Sequence, residues 1–197
     1  MFGDVSLRNA TEADAHDLAY LHALASGGIV EFVFEDVVPD VGPIELFAEA
    51  FAHDKGPYTW RNCVVADDGR QVVGKLHSFP ADEEAEHEPD PRIPIERFEV
   101  LAPLETLKAT GTWYICAVAV RPGNQGQGLG KRFMELANDQ ARKKRFTELS
   151  LHVFEDNRGA VALYESLGFQ IANRCTLEHK AFSHHEGDLL LMRRPVI

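Results

Sequence analysis

The sequence predicts a single mixed α/β (α+β) domain, with a mixed central β-sheet of about six to seven strands flanked by helices. Strand-like apolar runs alternate along the chain with stretches whose apolar residues recur at helical spacing. No internal repeat and no Gly/Ser-rich linker divides the 197 residues, and this length suits one domain or at most two small ones. We therefore expect residues 1–197 to form one domain.

The composition is that of a globular protein with an acidic balance. Hydrophobic residues make up 45% and charged residues 26%, which excludes collagen-like, coiled-coil and wholly disordered chains. Asp and Glu outnumber Lys and Arg by 31 to 20, for a net charge of -11, so no nucleic-acid partner is expected. The longest apolar stretch, residues 115–120, is far shorter than the roughly 20 residues that span a bilayer, so no membrane partner is expected either.

The N-terminus and the cysteines indicate a cytoplasmic location. Residues 1–8 lack the basic start and the apolar run of a secretory signal. Cys63, Cys116 and Cys175 are odd in number and far apart, without a CxxC pair. We expect them to be reduced and mostly buried thiols.

Two helix patterns occupy the first third of the chain. Residues 5–8 predict a short strand, and residues 11–14 resemble a capping box that opens a helix ended by two glycines at 27–28. Pro43 suits the first turn of a second helix, where its missing N–H has no cost. The apolar residues that follow it recur at helical spacing, at Ile44, Phe47, Ala48 and Phe51.

A hairpin and an unusual insertion come next. Residues 59–66 and 71–79 are rich in valine and flank a turn-forming sequence, which predicts two antiparallel strands. Residues at about 80–110 then form an acidic, Pro-rich insertion, with five prolines between 80 and 103. This composition favours a loop for much of its length.

The second half alternates strongly between strand and helix patterns. Residues 113–120 are almost continuously apolar, which favours a central strand covered on both faces. The elements predicted after it are a helix at 129–144, a strand at 147–154, a helix from 156 or 157 to 167, and strands at 169–176 and 188–193.

A glycine-dense turn joins the strand at 113–120 to the helix at 129–144. Such a turn exposes main-chain N–H groups at the positive end of a helix, which suits a phosphate or pyrophosphate, although an ordinary strand-to-helix turn is the alternative. The turn does not fit the P-loop pattern, because Gln125 stands at the first glycine and Arg132 at the Ser or Thr. It does not fit the dinucleotide pattern either, because Lys131 replaces the third glycine.

A third pattern fits this turn. Residues 125–130, Gln-Gly-Gln-Gly-Leu-Gly, match [Q/R]-x-x-G-x-[G/A], the acyl-CoA pyrophosphate loop of the GNAT superfamily of N-acyltransferases. Residues 157–169 are similar to that family's second landmark, N-x-x-A-x-x-L-Y-x-x-x-G-F. The chain thus resembles the GNAT superfamily over roughly residues 5–194, least securely at 80–110.

The resemblance implies a GNAT fold whose sheet is splayed at an acyl-CoA site, with acetyl-CoA or another acyl-CoA as co-substrate. The cofactor is expected between the strand that ends at Val120 and the strand at 149–154. Main-chain groups around Val118 and Val120 are expected to bind the pantetheine arm. The pyrophosphate is expected on the amides of Gln125, Gly126, Gln127, Gly128, Leu129, Gly130 and Lys131.

The second landmark implies two further roles. Tyr164 stands where the family places a general acid that protonates the departing thiolate, and phenol and thiol pKa values of about 10 and 8.5 make that transfer feasible. A core tyrosine is the alternative. Asn157 is expected to contact CoA, or else to cap the helix that follows it.

The general base is left unassigned by the sequence. Many family members have a glutamate near the start of the strand before the loop, but this chain has Trp-Tyr-Ile-Cys at 113–116. An amine acceptor must nevertheless lose a proton before it attacks. The residues that remain open for this role are Glu31, Glu35, His77 and Glu99.

The predicted function is transfer of an acetyl group to a primary amine of a small molecule or peptide, by direct attack on the thioester. A non-catalytic acyl-CoA-binding or sensing module is the alternative, since the expected glutamate is missing. Cys116 is expected to be packing rather than a nucleophile. No metal is expected, because His184, His185 and Glu186 lack a supporting third ligand at a recognisable spacing. The C-terminal strands offer a possible homodimer surface.

Overall fold

In the computed structural model, residues 5–85, 88, 90–177 and 185–197 are described, and these residues form one mixed sheet of seven strands flanked by helices. The strands are β1 Ser6–Asn9, β2 Cys63–Asp67, β3 Val72–Pro80, β4 Trp113–Val120, β5 Glu148–Phe154, β6 Gln170–Cys175 and β7 Leu189–Pro195. Their spatial order is β1-β2-β3-β4-β5-β7-β6. The predicted mixed α/β architecture is confirmed.

The helices depart from the sequence prediction in two places. The helices are α1 Ala15–Ala25, α2 Ile29–Phe34, α3 Pro43–Ala52, α4 Ala81–Ala85, α5 Ile95–Leu101, α6 Leu129–Lys143 and α7 Arg158–Ser166, with 3₁₀ turns at Glu12–Asp14, Trp60–Asn62, Ala102–Leu107 and Pro122–Asn124. The prediction that the insertion is mostly loop is wrong, because α4, α5 and a 3₁₀ turn occupy much of it. The sequence does not predict α2 either, because its six residues are too few for a helical period to stand out.

Some predicted features fall outside the described ranges. Residues 1–4, which entered the prediction of a cytoplasmic location, lie outside the described residues, as do residues 86, 87 and 89 of the insertion and His184. In the part that is described, no helix combines the length and the apolar character that a bilayer span needs. The possible dimer surface stays a prediction; β6 lies at that edge of the sheet and is mostly exposed.

A divergence of two neighbouring strands dominates the middle of the sheet. β4 and β5 are parallel, and three residue pairs join them, from Trp113 with Leu149 to Ile115 with Leu151. Beyond this point β4 continues to Val120 and β5 to Phe154 without pairing to each other. The prediction of a strand covered on both faces therefore holds for 113–115, whereas Cys116, Val118 and Val120 are only partly buried.

A β-bulge in β4 coincides with the divergence. On the β3 side, His77 pairs with Ala117 and Ser78 pairs with Ile115, so Cys116 is the extra residue. A bulge bends its strand and increases the local twist, which helps β4 to turn away from β5. The far half of β4 is held instead by β3, whose pairing continues to Gly74 and Val120.

A lysine lies buried on the α1 side of the sheet. Lys75 is fully enclosed, and its Nζ donates to the Leu18 carbonyl at 2.8 Å and lies 3.2 Å from His22 Nδ1. The ammonium also lies 4.2 Å from the centre of the Phe51 ring. Burial lowers the pKa of Lys75 from 10.5 to about 8, because the charged form loses its hydration.

This burial predicts a specific dependence of stability on pH. Between pH 8 and 10.5 the unfolded chain binds more protons at Lys75 than the folded chain, so the free energy of unfolding rises with pH across this window. In Lys75→Met that contribution is absent, and the rise is expected to be smaller than in the parent protein. Urea unfolding at about pH 7.5 and pH 10 measures the difference. Lys143→Met, at an exposed position, serves as the control and keeps the parental rise; an equal rise in Lys75→Met would contradict the prediction.

Candidate functional site

The divergence of β4 and β5 opens a large cavity. Its volume is about 1420 Å³, and its lining includes Gln125 and Tyr164 as well as residues of α2, α3 and α5. A typical small-molecule site measures about 300–1,000 Å³, so this cavity has room for more than one ligand. The predicted gap between these two strands is confirmed.

The free edge of β4 faces this cavity with main-chain groups. The N–H of Arg121 donates to the Val73 carbonyl at 2.8 Å, on the β3 side. Main-chain groups alternate in direction along a strand, so those of Val120 and Val118 face away from β3 and toward the gap. The Gln125 side chain confirms this direction, since its Nε2 donates to the Val120 carbonyl at 3.1 Å.

The glycine turn has a conformation that requires glycine at two positions. Gly126 and Gly128 have φ values of 74° and 80°, in the left-handed region that disfavours a side chain. Gly128 immediately precedes α6, a helix of 15 residues whose first N–H groups have no acceptor within the helix. The turn residues Gln125, Gly126, Gln127 and Gly128 are exposed. The structure thus presents free amides at a helix N-terminus.

The remaining positions of the turn can contribute in different ways. Leu129 is buried in the core, with 4% of its surface exposed, so only its main chain is open to a ligand. Gly130 packs near Leu163 of α7, where an added Cβ would lie 3.5 Å from Cδ2. The Lys131 side chain is exposed and lies 4.0 Å from Glu135.

Tyr164 and Asn157 lie on the wall of the same cavity. Burial raises the pKa of Tyr164 to about 12, so its phenol stays protonated at neutral pH. Asn157 caps α7, because its Oδ1 accepts from the Ala160 N–H at 3.3 Å. The capping role is therefore observed. It uses only the side-chain oxygen of Asn157 and does not involve the side-chain nitrogen.

None of the four open candidates for the general base lines the described cavity. Glu31, Glu35 and Glu99 are exposed and lie outside its lining. His77 is fully buried, and its Nε2 lies 2.9 Å from the Pro57 carbonyl. A carbonyl only accepts, so this nitrogen carries the proton, and burial lowers the pKa of His77 well below its usual range.

The structure brings an unpredicted carboxylate into the cavity. Glu84 lies on α4, directly after β3, and its Oε1 accepts from the Tyr58 hydroxyl at 2.8 Å. Burial raises the pKa of Glu84 above its usual range. Glu84 and Cys116 both line the cavity, and burial, followed by the Glu84 charge, raises the pKa of the Cys116 thiol. The sequence signal was only a cluster of acids after a strand.

A second polar group crosses the gap where the strands separate. The Tyr114 hydroxyl on β4 lies 3.0 Å from His152 Nδ1 on β5. The other nitrogen of His152 lies 3.0 Å from the Leu107 carbonyl and must be the donor there. Nδ1 therefore accepts from Tyr114, and burial lowers the pKa of this neutral His152. The alternating strand pattern of β5 did not single out this residue.

Two clusters that contain histidine, in the described part of the chain, do not favour a metal ion. His22, His77 and Cys116 bring one ligand atom each within 4.8 Å of one another, but the buried Lys75 ammonium lies 3.2 Å from His22 Nδ1 and opposes a second cation. In the other cluster, His185 Nδ1 lies 2.7 Å from Asp156 Oδ1, and the His185 ring stacks on Phe154 at 4.3 Å. His185 is thus engaged by its protein neighbours.

Comparisons with known proteins agree with this geometry. The model of the acetyltransferase (GNAT) family matches residues 29–169. Among curated proteins, the ribosomal protein bS18-alanine N-acetyltransferase of Escherichia coli K12 is 37% identical over 81 residues, which are 40% of this chain and 53% of that protein. Mycothiol acetyltransferase of Renibacterium salmoninarum is 42% identical over 62 residues, 32% of this chain and 18% of that protein. The chain therefore spans about half, or less, of the length of these relatives.

Solved structures resemble the whole chain. An N-acetyltransferase from Staphylococcus aureus Mu50 has a TM-score of 0.67 at 18% identity, and the match covers 96% of this chain and 100% of that one. The protein yncA of Salmonella typhimurium, solved with its cofactor acetyl-CoA, has a TM-score of 0.59 at 18% identity, with 99% and 95% covered. At 18% identity these structures support the fold alone. The family model, in contrast, matches well over half of the sequence. This chain, with its splayed sheet and its glycine turn, belongs to the acetyltransferase (GNAT) family.

Proposed function

We propose that this protein is an acetyl-CoA-dependent N-acetyltransferase that acts on a primary amine of a small molecule or peptide. The observation that carries the proposal is the gap between β4 and β5, which has free amides of a helix N-terminus at one end and a largely buried carboxylate further in. Family membership supports the same chemistry. Bound acetyl-CoA supplies an activated acetyl thioester that an amine attacks directly.

The residues present fit this co-substrate. Amides of Gly126 to Lys131 are suited to bind a pyrophosphate, because the turn is exposed, rich in glycine and at the positive end of α6. The Gln125 N–H already donates to the Pro122 carbonyl at 3.4 Å, so Gln125 contributes no free amide. Main-chain groups of Val118 and Val120 face the gap and can form hydrogen bonds with a ligand there. They are the groups that would pair with a neighbouring strand if one were present. Asn157 stands at the gap wall, with its carbonyl oxygen engaged in the cap.

Glu84 is our proposed general base. The ammonium of an alkylamine has a pKa of about 10.4 and must lose a proton before its nitrogen can attack. A largely buried carboxylate with a raised pKa accepts such a proton more readily than an exposed one. Glu84 thereby takes the role of the glutamate that many family members have near the start of the strand before the glycine turn. The absence of that glutamate was the reason for considering a non-catalytic module.

Tyr164 is our proposed general acid. Its phenol lines the cavity and, like any phenol, is protonated at neutral pH. Burial raises its pKa to about 12, which makes it a weaker acid, so its proton moves only as negative charge develops on the leaving sulfur. It can donate its proton to the departing CoA thiolate. Direct attack is favoured over an acyl-cysteine route, since burial raises the pKa of Cys116 and keeps its thiol protonated.

The glycine turn gives the first test. Alanine at φ 80° costs about 1–2 kcal/mol, so Gly128→Ala is expected to relax the turn and weaken acetyl-CoA binding roughly tenfold. Gly123→Ala is the matched control, because this exposed glycine does not have a positive φ and an added Cβ would meet nothing within 4 Å. Titration calorimetry measures both. Equal affinity in the two variants would contradict the role of the turn, and no heat with the parent protein would contradict the co-substrate.

The proposed acid gives the second test. Tyr164→Phe removes the hydroxyl alone, and we expect kcat to fall about 10- to 100-fold with little change in acetyl-CoA affinity. Thiol release from acetyl-CoA measures turnover. Tyr20→Phe, at a half-buried position outside the cavity lining, is the control and keeps parental turnover. An unchanged kcat in Tyr164→Phe would remove the acid role.

The proposed base gives the third test. Because the Glu84 pKa is raised, the active carboxylate form is lost as pH falls through a value above the usual range of a glutamate. The parental kcat/KM is therefore expected to decline on the acid side, and Glu84→Gln is expected to lower kcat/KM at least about tenfold and to lose that inflection. Glu99→Gln, at an exposed position, keeps the parental profile. A parental profile in Glu84→Gln would show that the base lies elsewhere.

A further inference from the structure

Part of the cavity lining is apolar and belongs to elements other than those proposed to bind the co-substrate. Its walls come from α2, α3 and α5 and include Val33, Phe34, Phe47, Phe98 and Leu101. The Phe34 and Phe47 rings stack with their centres 5.0 Å apart. We call this part of the cavity the inner chamber.

The edge of the inner chamber is apolar as well. Leu24 and Ile95 are exposed by 47% and 65%, and both line the cavity. An acceptor with a hydrocarbon body would cover them.

Tyr58 links this chamber to Glu84, because its ring lies 5.8 Å from the Phe47 ring and its hydroxyl donates to Glu84 Oε1 at 2.8 Å. Glu84 is the largely buried carboxylate of the described lining. Of the other acids in the described lining, Glu49, Glu88 and Glu105 are exposed and Asp90 is partly buried, and three of these four already have cationic partners. Arg92 lies 2.8 Å from Glu49 and 2.6 Å from Asp90, and Lys108 forms an ion pair with Glu105.

This distribution limits how many charges an acceptor can bring inside. One ammonium can lie beside Glu84, but a second would be buried without a partner, and burial of an unpaired charge is strongly unfavourable. A peptide would bring main-chain amides into an apolar space, where each unpaired group is unfavourable as well.

We propose that the acceptor is a small primary monoamine carried on an aromatic or aliphatic body, with its nitrogen beside Glu84 and its hydrocarbon part in the inner chamber. This inference rests on the proposed N-acetyltransferase function. It excludes polyamines, aminoglycosides and peptide N-termini as preferred acceptors.

A matched pair of amines tests the proposal. n-Hexylamine and 1,6-diaminohexane have the same length and differ in the second ammonium. With the full chain and acetyl-CoA, we expect kcat/KM for n-hexylamine and 2-phenylethylamine to exceed that for 1,6-diaminohexane, spermidine and an alanyl tripeptide by at least about 30-fold. Thiol release measures each rate at one pH.

A substitution in the chamber wall tests the physical reason. Phe98→Glu adds a carboxylate on α5, and we expect it to raise kcat/KM for 1,6-diaminohexane relative to n-hexylamine at least about tenfold. Leu101→Glu repeats the test on the same helix should Phe98→Glu fail to fold, and retained acetyl-CoA binding reports the fold. An unchanged ratio in a folded variant would contradict the charge argument.

The outcomes separate the two proposals. Equal or higher kcat/KM for the diamine, spermidine or the tripeptide overturns the acceptor class and leaves N-acetyl transfer standing. Acetyl-CoA binding without thiol release from any of these amines overturns the enzymatic function, and the acceptor class with it.

Discussion

The site depends on the failure of two neighbouring strands to stay paired. Three parallel pairs join β4 and β5, after which the bulge at Cys116 turns β4 away. Because β3 continues to hold the outer half of β4, that half keeps its strand geometry while its other edge is left open. An open edge inside a sheet supplies main-chain donors and acceptors to a ligand, and the space beside it holds the ligand.

Burial sets the proton positions around this gap. It raises the pKa of both Glu84 and Tyr164, so that the carboxyl becomes a stronger base and the phenol keeps its proton. It lowers the pKa of His152, which stays neutral between Tyr114 and the Leu107 carbonyl. The same loss of hydration thus favours proton uptake by the Glu84 carboxylate and proton retention by the Tyr164 phenol.

Electrostatics also separates the exterior from the interior of this protein. The net charge of -11 is carried largely by exposed acids, several of which are paired in the cavity lining. Among the described lining residues, the interior offers one largely buried carboxylate, that of Glu84. The net charge of the protein is therefore a poor guide to the charge of the acceptor. The position of Glu84 in the cavity lining is the more informative observation for the proposed acceptor.

The sequence by itself determined the mixed sheet and most helices, and it singled out the residues that we propose for the co-substrate, whereas tertiary structure alone decided which residues are proposed for the acceptor. The first group follows from local signals: strand and helix periods, the glycine turn at residues 125–130, and the landmark at 157–169. Glu84, in contrast, is one acid among many in the insertion, and the fold selects it by bringing the Tyr58 hydroxyl to it. His77 was open as a base from the sequence, yet β3 directs its Nε2 to the Pro57 carbonyl. Burial and the meeting of distant segments are properties of the folded chain, because they depend on contacts that no local pattern of residues encodes.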